Sequence, residues 1–180
     1  MQENQQSAHS DKEKSREQRF VETVIERCHK DKGLAARLRR ADNPATEYQS
    51  WELLGWFGVD LEKDYDRLPF VTVAAAISKA KAGRNGTLTL GKAILACYDN
   101  DRDSGQAKAR LRRLLACNEL AEVCRILRSV LPLIDSKVSQ PIDYVRLLRQ
   151  LKYFGQRTKI QWAQEFYGQS AESEGKEGVA

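Results

Sequence analysis

The segment 106–117, QAKARLRRLLAC, restricts the fold of this chain more than any other stretch. At about 100° per residue, Leu111, Leu114 and Leu115 share one arc of a helix and form a narrow apolar seam. Cationic residues flank that seam on both sides: Lys108, Arg110, Arg112 and Arg113. A chain built from such segments buries thin apolar stripes between helices and leaves a broad cationic surface outside.

Arginine pairs with the spacing i, i+3 occur in four of the predicted helices. The pairs are Arg37 with Arg40, Arg110 with Arg113, Arg125 with Arg128, and Arg146 with Arg149. Residues at this spacing leave the same side of a helix, roughly 5 to 6 Å apart at their Cβ atoms. Guanidinium groups hold phosphate oxygens bidentately and stay charged at physiological pH. The pairs therefore predict one surface that faces a polyanion.

Positive charge is concentrated in the C-terminal half of the chain. The 180 residues carry a formal net charge of +5, which alone indicates an acidic partner only weakly. Residues 101–160 contain thirteen Lys and Arg against six Asp and Glu, an excess of seven positive charges. No carboxylate lies three or four residues from Arg110, Arg112 or Arg113, so these charges repel one another unless an anion binds. For any single pair the alternative is a solvated helix face with local ion pairs, as Glu122 offers Arg125.

The sequence contains no catalytic or metal-binding constellation that we can assemble. The histidines are His9 and His29, and no CxxC spacing occurs among the cysteines, which we expect to be reduced and buried: Cys28, Cys97, Cys117 and Cys124. The acidic stretch 59–67 lacks the glycine and terminal Glu of a calcium loop. No apolar run is long enough to span a membrane, and no secretory signal pattern begins the chain. We therefore predict a cytoplasmic, soluble, non-enzymatic protein without a cofactor, a metal or a membrane partner.

Helical periodicity predicts an N-terminal subdomain over residues 15–98, after a disordered polar tail at 1–14. Its predicted helices cover 15–30, a short basic segment around 34–40, a segment that starts at Asn43-Pro44, and the stretches 70–82 and 88–98. Trp51 and Trp56 lie in the third of these. Both are able to stack nucleobases, but aromatic residues at helical spacing more often fill a core, so we assign them to the core.

The C-terminal half is predicted to be a small four-helix bundle over residues 106–168. A linker at 99–105, DNDRDSG, has no apolar residue and precedes four segments with a 3.6-residue period, at 105–117, 118–135, 141–154 and 158–168. Short connections between such helices imply antiparallel neighbours. Pro132 is expected to kink or shorten the second of them. The polar, acidic stretch 169–180 is predicted to be a disordered tail, and the fold class is all-α with two small helical subdomains.

The order of these features resembles a known family. The features are a basic helix after Gly33, the tetrapeptide Leu90-Gly91-Lys92-Ala93, a linker, the stretch 110–115 (RLRRLL), and a last part that runs from Ile142-Asp143-Tyr144 through Trp162 and Phe166. They resemble the small subunit of the type I-E CRISPR Cascade complex, the CasB family, over about residues 16–168. The resemblance implies two helical subdomains, no catalysis, and two copies arranged head to tail in the complex.

The resemblance also implies partners and site residues. The expected partners are crRNA, target DNA in single- and double-stranded form, the other Cascade subunits and a second copy of this chain. Basic faces of the family support the crRNA–target heteroduplex and the displaced strand of the R-loop without reading sequence. By motif position this role falls on Arg37, Arg39, Arg40, Lys92, Arg110, Arg112 and Arg113, whereas periodicity alone adds Arg125, Arg128, Arg146 and Arg149. The alternative is a structural helical adaptor whose basic faces bind acidic protein surfaces.

Overall fold

The computed structural model describes residues 14–168, and within them the fold is all-α, as predicted. The predicted tails lie outside this range, apart from Lys14. The only extended pairing among these residues is an isolated bridge between Leu88 and Ile142. The helices are α1 Arg16–Lys30, α2 Lys32–Arg40, a 3₁₀ helix Pro44–Ser50, α3 Trp51–Trp56, α4 Asp64–Ala80, α5 Leu90–Ala96, α6 Gly105–Ala116, α7 Leu120–Lys137, α8 Tyr144–Lys152 and α9 Gln156–Tyr167.

Helix α4 lies at the centre of the fold. All residues from 68 to 78 are buried, and none of them is charged, so this helix is apolar on every side. Helices α1, α2, α7 and α8 pack around it, with the most extensive contact made by α7. The buried hydroxyl of Ser78 donates a hydrogen bond of 2.7 Å to the carbonyl of Ala35, which satisfies the polar group and joins α4 to α2.

One predicted helix boundary beside a proline is wrong, because helix α4 begins at Asp64 rather than at residue 70, with Pro69 inside it. Helix α7 continues through Pro132 to Lys137, so this proline does not shorten the helix predicted over 118–135. Proline removes one backbone donor but does not end a helix whose remaining faces are held by tertiary packing.

Helix contacts divide the described residues into two groups. One group surrounds α4 and contains α1, α2, α3 and α8; the other contains α5, α6, α7 and α9, while α7 also packs on α4. Chain order predicts α5 in the first group and α8 in the second, and the structure exchanges them. A single apolar cluster continues through both groups, from Phe20 in α1 to Phe166 in α9. Each of the two groups contains helices from both sides of residues 99–105, so the helix contacts do not establish a subdomain boundary there. The boundary stays a prediction.

The exchange of α5 and α8 depends on hydrogen bonds that join the segment before α5 to the start of α8. The amide of Gly86 donates to the carbonyl of Ile142 at 2.9 Å, and Asp143 N–H donates to the Leu88 carbonyl at 2.9 Å. The side chain of Asn85 accepts hydrogen bonds from the first amides of α8, at 2.8 Å for Tyr144. These bonds hold the start of α8 beside the chain that leads into α5, and they cap α8 from a distant part of the sequence.

Glycine at position 91 allows a close crossing of α5 and α9. A Cβ atom built there would overlap the carbonyl oxygen of Trp162 and lie only 2.6 Å from the Cβ of Glu165. The Gly91 amide donates to the Glu165 carboxylate at 3.1 Å. The absence of a side chain thus lets the two helices approach within backbone contact.

None of the helices among residues 14–168 has the length and apolar character needed to cross a bilayer.

We expect Gly91→Ala to lower the free energy of unfolding by about 1–3 kcal/mol, because the added methyl group forces the backbones of α5 and α9 apart. Urea unfolding followed by circular dichroism at 222 nm measures this change. Gly55→Ala in α3 is the matched control, since nothing lies within 4 Å of its Cβ position. Alanine favours a helix over glycine, so this control should gain about 0.5–1 kcal/mol. A stable Gly91→Ala variant would contradict the close crossing.

Candidate nucleic-acid interface

Four cations from three helices meet in a groove that we call the basic groove. Arg39 and Arg40 come from the end of α2, Lys79 from the end of α4 and Arg128 from α7. The turn 42–46 completes its wall. The three helices meet here because α2 and α7 both pack on the buried face of α4. Tertiary packing thus brings together charges that are far apart in the sequence.

One carboxylate, that of Asp42, serves this groove. Its side chain is only 12% exposed and contacts both Lys79 Nζ and Arg128 Nε, the latter at 3.4 Å. Arg39 and Arg40 are exposed and have no ion pair among the described residues. Four positive charges against one negative charge leave an excess of three. The groove can therefore accept an anion without breaking an existing ion pair.

Arg128 in this groove has an unsatisfied donor. Its Nε atom is shielded from solvent and has no hydrogen-bond partner among residues 14–168, since 3.4 Å from Asp42 is an ion-pair distance with poor geometry. Buried donors of this kind are rare and costly. An anion bound in the groove cannot reach this buried atom, but its charge would offset part of that cost.

A second set of cations lies on α6 and the start of α7. Arg112 and Arg113 are exposed and have no ion pair in the described part of the chain, and Lys92 on α5 shares both properties. Arg125 is also exposed. The predicted local pair between Glu122 and Arg125 is not formed: the Glu122 carboxylate instead accepts a hydrogen bond of 3.3 Å from the Asn118 amide.

Arg125 is one of the charges that act on the Cys117 thiol at the end of α6. Burial raises the pKa of this thiol, the nearby Glu122 carboxylate adds to that effect, and the positive charges of Lys159 and Arg125 oppose it. Arg128 of the basic groove lies one helical turn further along α7.

Three of the predicted arginines are engaged by the fold itself. Arg146 donates through Nε and Nη2 to Glu165 Oε1, at 3.0 and 2.7 Å. Arg149 donates to the Ser15 hydroxyl at 2.8 Å, and Arg110 donates to the Tyr98 hydroxyl. Glu165 is only 8% exposed and also accepts from Gly91, so its pairing with Arg146 is structural.

The structure separates the members of the predicted i, i+3 pairs. Arg40 lines the basic groove, whereas Arg37 lines a different pocket together with Arg27 and Trp56. In each of the other three pairs at least one member has a protein partner. Equal spacing on a helix thus does not give these arginines equal surroundings. The interface that remains combines exposed cations of several helices and does not follow the i, i+3 pairs.

The prediction that Trp51 and Trp56 are core residues is wrong. Their exposed fractions are 42% and 70%, and Tyr48 beside them is 58% exposed. The chain forms a 3₁₀ helix over Pro44–Ser50 before α3, and this change of helical period turns the aromatic face outward. Leu53 and Leu54 fill the core in their place.

The cysteines and the acidic loop take no part in this interface. Cys97, Cys117 and Cys124 are buried and Cys28 is half-buried, all of them free thiols. Burial raises the pKa of Cys124 to about 11, so its thiol stays protonated at neutral pH. In the loop before α4, carboxylates bind locally, as Asp60 does with Lys63 at 2.8 Å. Within residues 14–168, no three acidic, His or Cys side chains converge as metal ligands.

Residues 34–167 match the family model of CRISPR-associated protein Cse2. The chain belongs to the Cse2 family. Its fold is also similar to the crystal structure of M. ruber CasB, with 26% sequence identity and a TM-score of 0.70. That similarity covers 86% of this chain and 94% of the CasB chain. Comparison with curated proteins gave no match. The family suggested by the order of sequence motifs is confirmed.

Two residues of the basic groove in this Cse2-family chain cannot be recognised as site residues from the sequence. Lys79 lies in the last turn of a helix, where a favourable interaction with the helix dipole explains it locally. Asp42 precedes Asn43-Pro44 and has the position of an ordinary loop residue. A search for carboxylates near each arginine in sequence cannot find Asp42, because its partner Arg128 is 86 residues away.

We expect Asp42→Asn to lower the free energy of unfolding by about 1–3 kcal/mol, because it leaves two half-buried cations without their counter-charge. Urea unfolding at low and at moderate salt measures this loss, which should shrink as salt screens the repulsion. The matched control is Asp103→Asn: its carboxylate is 98% exposed and pairs with Lys108. The control should change stability by less than about 0.5 kcal/mol. Equal effects in both variants would contradict a special role for Asp42.

Proposed function

We propose that this chain is a non-catalytic, nucleic-acid-binding small subunit of the type I-E CRISPR Cascade complex. Membership of the Cse2 family supports a place in Cascade. The observation that carries the nucleic-acid role is the basic groove, in which four cations face one carboxylate. No part of the proposal requires a reacting group, because positioning a nucleic-acid strand needs only charge and shape.

The proposed action is electrostatic support of crRNA paired with target DNA and of the displaced strand of the R-loop. Arginines bind phosphate oxygens of either strand and carry no sequence information. Base pairing elsewhere in the complex supplies specificity. The subunit would thus lower the free energy of the open R-loop relative to the closed duplex, and its contribution would decrease steeply with salt.

The contacts divide the predicted residues by their suitability for this role. Exposed cations without an ion pair in the described residues are the strongest candidates: Arg39, Arg40, Lys92, Arg112, Arg113 and Arg125. Arg128 lines the groove but already pairs with Asp42, and Arg37 lines a separate pocket. Arg110, Arg146 and Arg149 hold other parts of the protein and would have to exchange partners to bind phosphate.

The proposed partners are crRNA, target DNA, other Cascade subunits and a second copy of this chain. We include the second copy because the family resemblance implies it. Co-expression with the other Cascade subunits, followed by native mass spectrometry and sequencing of the bound RNA, tests all four partners together. A complex that assembles with its crRNA but without this chain would contradict the proposed place in Cascade.

We expect the double variant Arg39→Gln, Arg40→Gln to weaken binding to single- and double-stranded DNA of any sequence. Two lost phosphate contacts should reduce the slope of log K against log salt by about 2. Fluorescence anisotropy with labelled DNA over a salt series measures both quantities. Glutamine keeps the helix propensity of α2, so stability should change little.

The matched control is the double variant Lys30→Gln, Lys63→Gln. It removes the same two positive charges, but each lysine already pairs with a carboxylate, Glu26 at 2.6 Å and Asp60 at 2.8 Å. DNA affinity should therefore remain close to that of the wild type. Equal losses in the two double variants would show that only net charge matters. Undetectable binding by the wild type at low salt would oppose the proposed function.

A structural adaptor is the alternative function, and the exposed side chains of Tyr48 and Trp51 favour it. Large aromatic residues at a surface are enriched in protein–protein interfaces. A partner that co-purifies after nuclease treatment and is lost from Tyr48→Ala, Trp51→Ala would support the adaptor role. A Cascade subunit needs both kinds of surface, so the two functions are compatible on different faces.

A further inference from the structure

We propose that a pocket beside Trp56 stacks one unpaired base of a single nucleic-acid strand. The pocket, which we call the Trp56 pocket, is formed by α1, α2, the 3₁₀ helix and α3. Leu34 and Leu53 line its apolar part, and Arg27 and Arg37 supply charge. The inference rests on the proposed function, since it names a kind of strand that the subunit would hold. It concerns a surface that is separate from the basic groove.

The indole of Trp56 is held by neighbours yet remains 70% exposed. Phe57 meets it edge to face with ring centroids 5.2 Å apart, and the Arg27 guanidinium lies 5.8 Å from the ring centroid. These contacts fix the ring before a ligand binds, which lowers the entropic cost of binding. A flat aromatic ligand would cover the exposed face of the indole and so bury apolar surface that folding leaves in contact with water, which favours binding.

The charge of the pocket favours a ligand that is both aromatic and anionic. Arg27 and Arg37 have no ion pair among the described residues, and Glu52 is the single carboxylate of the wall. A nucleotide presents a planar base for the indole and a phosphate for the guanidiniums. An apolar side chain of a partner protein would cover Trp56 but would bring no negative charge to the two guanidiniums. The observations therefore favour a nucleotide of a strand over protein docking.

A polar group in the wall fits the same ligand. The side-chain oxygen of Gln49 is buried and has no hydrogen-bond donor among residues 14–168. An acceptor in that situation costs free energy until a donor reaches it. Every nucleobase with a free Watson–Crick edge carries an N–H donor. A stacked, unpaired base carries such a donor and would satisfy the Gln49 oxygen once this amide turns towards the ligand, whereas a base within a duplex has already used that edge.

The test compares two labelled strands of equal length, an oligothymidylate and a fully abasic strand with the same phosphates. Anisotropy titrations use the full chain as wild type, Trp56→Ala, Trp56→Phe and Trp51→Ala. We expect the wild type to bind the thymidylate about 5- to 150-fold more tightly, the range for stacking of one base on an aromatic ring. Trp56→Ala should remove this preference while the affinity for the abasic strand stays nearly unchanged. Trp56→Phe should keep most of it.

Trp51→Ala is the matched control, because Trp51 is also exposed but lies outside the Trp56 pocket. It should keep the full preference. Equal binding of both strands by the wild type, or an unchanged preference in a folded Trp56→Ala variant, would overturn the pocket and leave the proposed function intact. An unchanged preference together with a lost partner protein would assign Trp56 to protein docking and also overturn it. Failure of the wild type to bind either strand at low salt would overturn the proposed function itself.

Discussion

Enclosure of α4 is the constraint on which the rest of this structure depends. A helix that carries no charge from residue 68 to 78 must be covered on all sides, and four other helices supply that cover. Each of them turns its apolar stripe inward and therefore its cations outward. The basic groove forms where two of these outer helices, α2 and α7, meet over the end of α4, so the charged surface is a direct consequence of the buried one.

Carboxylates then decide which cations remain available to a ligand. Glu165 is almost fully buried, so its pairing with Arg146 and its bond to the Gly91 amide serve the α5–α9 contact. Removing that arginine would leave the buried Glu165 carboxylate without its positive partner. Asp42 acts differently, because it offsets two cations of a set of four. It reduces repulsion enough to assemble the groove and still leaves a positive potential.

The sequence predicts the helices well and their partners poorly. Apolar periodicity is a local property, and it places the helices from α5 to α9 within a few residues of their observed ends. The bonds that bring the segment around Gly86 beside Ile142 join residues more than fifty positions apart, and no periodicity reports them. The same holds for Arg128 with Asp42. Helical spacing places Trp56 in the core, whereas the change from 3₁₀ to α helix before it leaves the side chain exposed, and no apolar pattern in the sequence reports that change.

Two surfaces of this chain would respond differently to the same strand. A charged groove releases counterions when it binds, so its contribution falls with salt and does not distinguish bases. Stacking on an indole depends little on salt but requires a base that is free of its duplex partner. A subunit with both surfaces gains more from a single strand than from a closed duplex, although neither surface reads sequence. A protein that stabilises an R-loop needs this difference in affinity, because a protein that binds both states equally does not shift the equilibrium towards the open state.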